Sequence, residues 1–153
     1  MNRMAVIATL AVLASVQAHA QTRNGEPAPG CTIGNLKEEP ANTVTAISSF
    51  LSELQAAVKE NRRKEVAKLV SYPLNVSTPD GKNPVRSEQE FLAHYDKIFP
   101  AGLKLLLLRQ TPECVSRVGV RGFTFGHGQI WFDEYPDGKV RIFTITPVAY
   151  PGE

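Results

Sequence analysis

Residues 123–145 read FTFGHGQIWFDEYPDGKVRIFTI and contain short runs of aromatic and β-branched residues separated by turn signals. Such residues favour strands, because their side chains pack well on a pleated surface. The turn sequence Tyr135-Pro136-Asp137-Gly138 predicts a hairpin between the last two strands. Alternation along the final strand predicts two faces. One holds Val140, Ile142, Thr144 and Thr146, and the other holds Arg141, Phe143 and Ile145. The stretch therefore predicts a C-terminal antiparallel sheet.

Helical periodicity precedes these strands. From Asn42 to Asn61, apolar residues recur at three- and four-residue steps and form one stripe, with Asn42 or Thr43 as the predicted cap. A second helix is predicted over 63–71, where Tyr72 before Pro73 ends it. The first two predicted elements are thus both helices with a buried apolar face.

The middle of the chain combines a hairpin with further helices. Short strands are predicted at 73–77 and 83–86 around the turn Thr78-Pro79-Asp80-Gly81. Ser87 and Glu90 have the spacing of a capping box, which predicts a third helix over 87–99. The leucine-rich residues 103–109 predict a short buried helix. Helices followed by an antiparallel sheet make the expected fold α+β.

The N-terminus has the pattern of a cleavable export signal. Arg3 precedes an apolar run of about 13 residues, shorter than the roughly 20 needed to cross a bilayer. Ala18-His19-Ala20 matches a signal-peptidase site, so Gln21 would begin the mature chain. A retained N-terminal anchor is the alternative. The expected organisation is a signal peptide at 1–20, a flexible Pro/Gly-rich leader at 21–40 and one domain at 41–150, with a periplasmic or secreted location.

Charge and cysteine content narrow the classes of function. Lys plus Arg number 17 against 15 Asp plus Glu, and removing Arg3 leaves 16 against 15. A nearly neutral chain lacks the cationic face of a nucleic-acid binder. Cys31 and Cys114 predict a disulfide in an oxidising compartment, worth roughly 4 kcal/mol for a loop of about 80 residues. A metal pair or redox pair is the weaker alternative, because no CxxC motif or histidine cluster accompanies them.

The best local cluster for chemistry is His94, Tyr95 and Asp96. On a helix, Tyr95 shares its face with Phe91 and Ile98 and should point inward. Asp96 would border the apolar face, where burial raises a carboxyl pKa and suits a general base. The alternative is that Tyr95 is a core residue and Asp96 hydrogen-bonds a neighbouring backbone group or arginine.

Three residues are predicted ligand contacts: Tyr95 of the third helix, and His127 and Trp131 of the sheet. His127 lies between Gly126 and Gly128 and could reach a pocket or simply occupy a bulge. Trp131 could line a pocket or a dimer face, with core packing as the alternative. No metal site is expected from two mature histidines without fixed spacing. Four arginines could form a cationic strip on the sheet or a solvated face paired with Asp133 and Glu134: Arg109, Arg117, Arg121 and Arg141.

Two segments suggest a family. FLAHYDKIF at 91–99 resembles the third-helix segment, and GHGQIWF at 126–132 the central strand, of small exported bacterial proteins of the NTF2-like superfamily. The resemblance covers about residues 42–147. It implies a cone in which helices and a curved antiparallel sheet enclose a pocket, often in a homodimer packed sheet to sheet. Acid–base work in enzymes of this superfamily uses Asp, His and Tyr facing the cone, but no catalytic motif matches position by position.

These observations leave two expectations for function. The favoured one is a non-catalytic exported module that binds a small apolar ligand or a protein partner. The alternative is a cofactor-free lyase or isomerase in which Asp96 or His94 transfers a proton. Neither needs a cofactor. The sequence has no Gly-rich phosphate loop, and the absence of a GxSxG motif disfavours hydrolysis through a covalent intermediate.

Overall fold

A computed structural model describes residues 31–147, which form helices packed against a six-stranded sheet. The predicted signal peptide and residues 21–30 of the predicted leader lie outside the described residues. The helices are α1 (Ala41–Lys59), α2 (Arg63–Lys68), α3 (Glu88–Ala93), α4 (Tyr95–Ile98) and α5 (Ala101–Leu108). The strands are β1 (Val70–Thr78), β2 (Gly81–Val85), β3 (Ser116–Arg117), β4 (Phe123–Phe125), β5 (Ile130–Glu134) and β6 (Val140–Ile145). The predicted α+β class is confirmed.

The sheet has the order β2-β1-β6-β5-β4-β3, and its pairings are antiparallel except between β1 and β6. The prediction of a purely antiparallel sheet is therefore wrong at this one pairing, and the sheet is mixed. The physical reason is the connection between β2 and β3. This helical segment carries the chain from one edge of the sheet to the other. Parallel strands need such a crossover, whereas hairpins join only antiparallel neighbours.

The core lies between α1 and the sheet. Residues on one stripe of α1 are buried, including Ile47, Phe50 and Leu54, as the three- and four-residue spacing predicts. The Phe50 ring contacts that of Phe132 on β5, with 5.0 Å between centroids. Burying side chains of this size stabilises the fold by about 1.5–3 kcal/mol each.

A bulge in β6 changes the predicted faces of the last strand. Trp131 of β5 pairs with Thr144, but the next residue, Phe132, pairs with Ile142. Phe143 is therefore an extra residue on β6, and the alternation restarts beyond it. Ile145 is fully buried together with Ile142, so its predicted place on the face of Arg141 and Phe143 is wrong.

The helix boundaries differ from the predictions for local reasons. Pro40, rather than Asn42 or Thr43, is the residue before α1, and it makes no side-chain cap. The second helix ends at Lys68, because Val70 already belongs to β1. The Ser87 hydroxyl accepts from the amide of Glu90, as the capping box predicts. The predicted third helix is interrupted at His94, between α3 and α4.

Residues 31–36 form a strap along the chain segment that enters β3. The sulfur atoms of Cys31 and Cys114 lie at disulfide distance, 2.00 Å, so the predicted pair is brought together. The amide of Gly34 donates to the carbonyl of Glu113, and that of Leu36 donates to the carbonyl of Val115. Leu36 is buried, so this part of the predicted leader packs against the domain.

A substitution at Gly34 tests how closely the strap packs against the segment before β3. A Cβ atom at this position would overlap the carbonyl group of Val115. We therefore expect Gly34→Ala to lower the free energy of unfolding by about 1–3 kcal/mol, as overpacking does elsewhere. Thermal denaturation would measure the change. Ile33→Ala is the control, since Ile33 is 71% exposed on the same segment and should change stability by less than about 0.5 kcal/mol. Equal melting temperatures for the two variants would contradict the expectation.

Candidate functional site

Tyr95 lies in the core, as its helical position predicts. It is 1% exposed, stacks on Phe99 at 5.6 Å and meets the Phe91 ring edge at 5.7 Å. The cationic groups of Arg63 and Lys104 lie over its ring at 4.8 and 4.9 Å. Among residues 31–147, its buried hydroxyl has no hydrogen-bond partner. Burial raises the pKa of Tyr95, so the phenol is neutral at ordinary pH.

Asp96 is an exposed ion-pair partner and does not border an apolar pocket. Both its carboxylate oxygens accept from the Arg63 guanidinium, at 3.0 and 3.2 Å, and one accepts from Lys104 at 3.3 Å. The hydrogen bond from Lys104 and then those from Arg63 hold the pKa of Asp96 below its usual value. The predicted raised pKa is wrong, and the alternative of a carboxylate bonded to an arginine is confirmed.

His94, Asp96 and His127 line none of the clefts described below. His94 is exposed at the break between α3 and α4, and His127 is exposed on the connection between β4 and β5. The trio of His94, Tyr95 and Asp96 therefore contains one core residue and two surface residues.

Local hydrogen bonds position His127 in the β4–β5 connection and Trp131 at the start of β5. Gly126 and Gly128 both have positive φ angles, 64° and 86°, which glycine adopts without a side-chain clash. The amide of His127 donates to the side chain of Gln129, and the Trp131 indole donates to the Gly128 carbonyl at 2.9 Å. Trp131 is partly exposed, whereas its neighbours Ile130 and Phe132 are fully buried. Trp131 thus lies on the sheet face that the described helices leave uncovered.

That uncovered surface, called here the outer face, carries aromatic and cationic groups. Arg121 lies over the Trp131 ring at 5.5 Å, and Val120 beside it is fully exposed. Two open clefts, of about 380 and 420 Å³, share Arg121 and Phe143. Their remaining linings are Lys82, Trp131 and Thr144 in one and Val120, Asp133, Glu134, Tyr135 and Pro136 in the other.

The arginines of the sheet do not act as one cationic strip. Arg117 lies over the Phe123 ring at 4.8 Å and approaches Glu39 at 3.6 Å. Arg141 pairs with Asp137, four residues before it. The acidic partners of Arg117 and Arg141 therefore come from the segment just before α1 and from the β5–β6 turn, rather than from Asp133 and Glu134.

A deeper cleft of about 420 Å³ lies between α1 and the start of β6. We call it the α1–β6 cleft. Its lining comes from three segments: Ala46, Ser49, Phe50 and Glu53 of α1, Lys68 and Leu69 after α2, and Gly138, Lys139, Val140 and Arg141 around the start of β6. The α1 members have spacings of three, four and seven residues and so share one helix face. Sequence reasoning missed this site, although that spacing was visible.

The cleft exists because β6 extends two residues beyond the first residue of β1 in the sheet. The first pairing between the two strands joins Val70 to Ile142, so Val140 and Arg141 extend past the end of β1. The carbonyl of Leu69 accepts from the amide of Ile142 and closes one side of the gap. The lining includes the apolar residues Phe50, Leu69 and Val140, here called the floor, and charged residues, here called the rim. Such a mixture is typical of small-molecule sites.

Residues 31–147 contain neither a cluster of metal ligands nor a helix suited to cross a membrane. No three His, Cys, Asp or Glu side chains come together there as a set that could hold a metal ion. None of the described helices combines the length and apolar character that a bilayer crossing requires.

Comparison of the chain with family models, with curated proteins and with solved structures finds no match. The function of the protein is therefore inferred from the geometry of the described residues.

Two tyrosines allow a matched test of the buried hydroxyl. Tyr95→Phe removes a buried O–H that has no partner in the part of the chain that the structure describes, so we expect the free energy of unfolding to stay unchanged or rise by up to about 1 kcal/mol. Tyr72→Phe removes a hydrogen bond to the Ala67 carbonyl, 3.1 Å long, and should cost about 1 kcal/mol. Urea denaturation of both variants measures the difference. A larger loss in Tyr95→Phe would reveal a partner for that hydroxyl and reverse the interpretation.

The ion pairs of Asp96 predict a pH dependence. Its pKa is lower in the folded chain than the unfolded value of about 3.9, so its contribution to stability is complete above that value. The contribution is lost as pH falls through the folded-state pKa. Carboxyl NMR titration should therefore give a low pKa for Asp96 that rises in Lys104→Gln and in Arg63→Gln. Lys97→Gln, a neighbouring exposed change, should leave it unaltered, and an equal rise in all three variants would refute this assignment.

Proposed function

We propose that the protein is an exported, non-catalytic binding module of the NTF2-like kind that holds a small ligand in the α1–β6 cleft. The observation that carries the proposal is the cleft itself, in which an apolar floor adjoins a rim of charged groups. Its volume of about 420 Å³ lies within the range of about 300–1,000 Å³ that is usual for ligand pockets.

The proposed location and family have separate support. The apolar run and Ala18-His19-Ala20 provide the export pattern, and a cysteine pair at disulfide distance is compatible with an oxidising compartment. N-terminal helices packed against a sheet are compatible with an NTF2-like arrangement. The cone itself remains part of the proposal.

The lyase or isomerase alternative has weaker support. A general base at neutral pH needs a pKa near the working pH, and the partners of Asp96 move its pKa in the opposite direction. Asp96 is also 63% exposed in its side chain, which leaves it no apolar environment to raise that value. A binding role places no such demand on these residues.

A second candidate function is protein binding through the outer face. Trp and Arg are enriched at the centres of protein interfaces, and Trp131 and Arg121 are in contact there. The face also carries both signs of charge, Lys82 and Arg121 with Asp133 and Glu134, which is compatible with a self-complementary two-fold interface. A homodimer is therefore the partner to test first.

One set of measurements separates these functions. Protein recovered from the periplasm after expression of the full chain should have a mass that corresponds to cleavage after Ala20. A thermal-shift screen against a broad metabolite set should then give a ligand that raises the melting temperature. We expect Ser49→Trp, which fills the cleft, to abolish that shift, and Ser52→Trp, on the same helix outside the cleft, to retain it.

The controls give each alternative its own result. A shift that is lost in Asp96→Asn but kept in Ser49→Trp would favour the proton-transfer enzyme. A protein that no compound stabilises, but that light scattering shows to be a dimer disrupted by Arg121→Glu, would favour the outer face. An unprocessed precursor in the membrane fraction would contradict cleavage of the export signal.

A further inference from the structure

The charged residues at the rim of the α1–β6 cleft differ in whether they already have an ion-pair partner. Four ionisable residues line it: Glu53, Lys68, Lys139 and Arg141. Lys68 donates to Glu65 at 2.9 Å, and Arg141 donates to Asp137 through both terminal nitrogens. Neither acidic partner lines the cleft, so these two cations are already neutralised from outside it.

Glu53 and Lys139 are the rim charges that remain. Among residues 31–147, the Glu53 carboxylate and the Lys139 ammonium each lack an ion-pair partner within 4.0 Å, including each other. Glu53 comes from α1, whereas Lys139 comes from the β5–β6 turn, so they belong to different walls of the cleft. The site thus offers one negative and one positive group across an apolar floor.

We propose that the α1–β6 cleft binds a small zwitterion with an apolar body, either an apolar amino acid or a short apolar peptide. The ligand's ammonium group would pair with Glu53 and its carboxylate with Lys139. Its hydrocarbon part would cover Phe50, Leu69 and Val140. This inference rests on the proposed function and adds the chemical class of the ligand.

Charge complementarity favours this class. A simple fatty acid would pair its one carboxylate with Lys139 but leave Glu53 without a counter-charge. An apolar amine would have the converse mismatch. A zwitterion satisfies both groups and keeps the net charge of the cleft unchanged.

The test uses ligands that differ by one charged group. Isothermal titration of the exported, oxidised protein would compare L-leucine with 4-methylpentanoate, which lacks the ammonium, and with 3-methylbutylamine, which lacks the carboxylate. L-leucyl-L-leucine distinguishes a peptide from a free amino acid as the source of the zwitterion. We expect at least one zwitterion to bind about tenfold more tightly than either singly charged analogue, a difference of about 1.4 kcal/mol.

Variants test which residue meets which charge. Glu53→Gln should weaken zwitterion binding about tenfold without weakening 4-methylpentanoate, and Lys139→Gln should do the same without weakening 3-methylbutylamine. Lys59→Gln and Glu38→Gln, both exposed and outside the cleft, are the charge-matched controls. The double exchange Glu53→Lys with Lys139→Glu should restore binding, because a zwitterion can enter in the reversed orientation.

The outcomes separate this inference from the proposed function. Failure of both zwitterions to bind, or binding of a singly charged analogue as tight as that of the better zwitterion, would overturn the inference. If a different compound then stabilises wild type and Ser52→Trp but not Ser49→Trp, the cleft still has its binding role and only the ligand class is wrong. If no compound depends on Ser49, the proposed function fails as well.

Discussion

The parallel pairing of β1 with β6 joins the two halves of this chain into one sheet. The β1–β2 hairpin belongs to the helical N-terminal half, whereas β3 to β6 form a separate run of strands. Residues about 70 positions apart meet in this pairing, Val70 with Ile142 and Val76 with Ile145. The same register leaves the start of β6 without a neighbour in β1, and the α1–β6 cleft lies in that gap. One pairing therefore determines both the continuity of the core and the position of the candidate site.

Local features of the fold could be predicted from the sequence because local residues determine them. The apolar stripe of α1, the bond between Ser87 and Glu90, and the turn at 135–138 each depend on neighbours within a few positions. The direction of β6 relative to β1 could not be predicted in this way, because strand patterns carry no sign of direction. The β6 bulge was equally hidden, since Phe143 is as good a strand residue as those beside it.

The candidate site shows the same division between local and distant information. Helical spacing correctly placed Tyr95 in the core, but it could not show that Arg63 of α2 and Lys104 of α5 both reach Asp96. Those contacts reverse the direction of the expected pKa change. The α1–β6 cleft combines three segments far apart in the chain, and two of its members, Ser49 and Glu53, belong to the polar side of α1. A single helix pattern assigns such residues to solvent.

The strap has a consequence for how another protein could recognise this one. Open sheets present unpaired backbone groups at their edges, and extended peptides commonly bind there as an added strand. At the β3 edge, the Arg117 amide already donates to the side chain of Asn35, and residues 34–36 hydrogen-bond to the segment just before it. At the opposite edge, β2 contains Pro84, which has no N–H to donate, and Lys82, a residue type that discourages edge pairing. Both margins of the sheet are thus poor templates for strand addition, which directs any partner toward side chains rather than backbone.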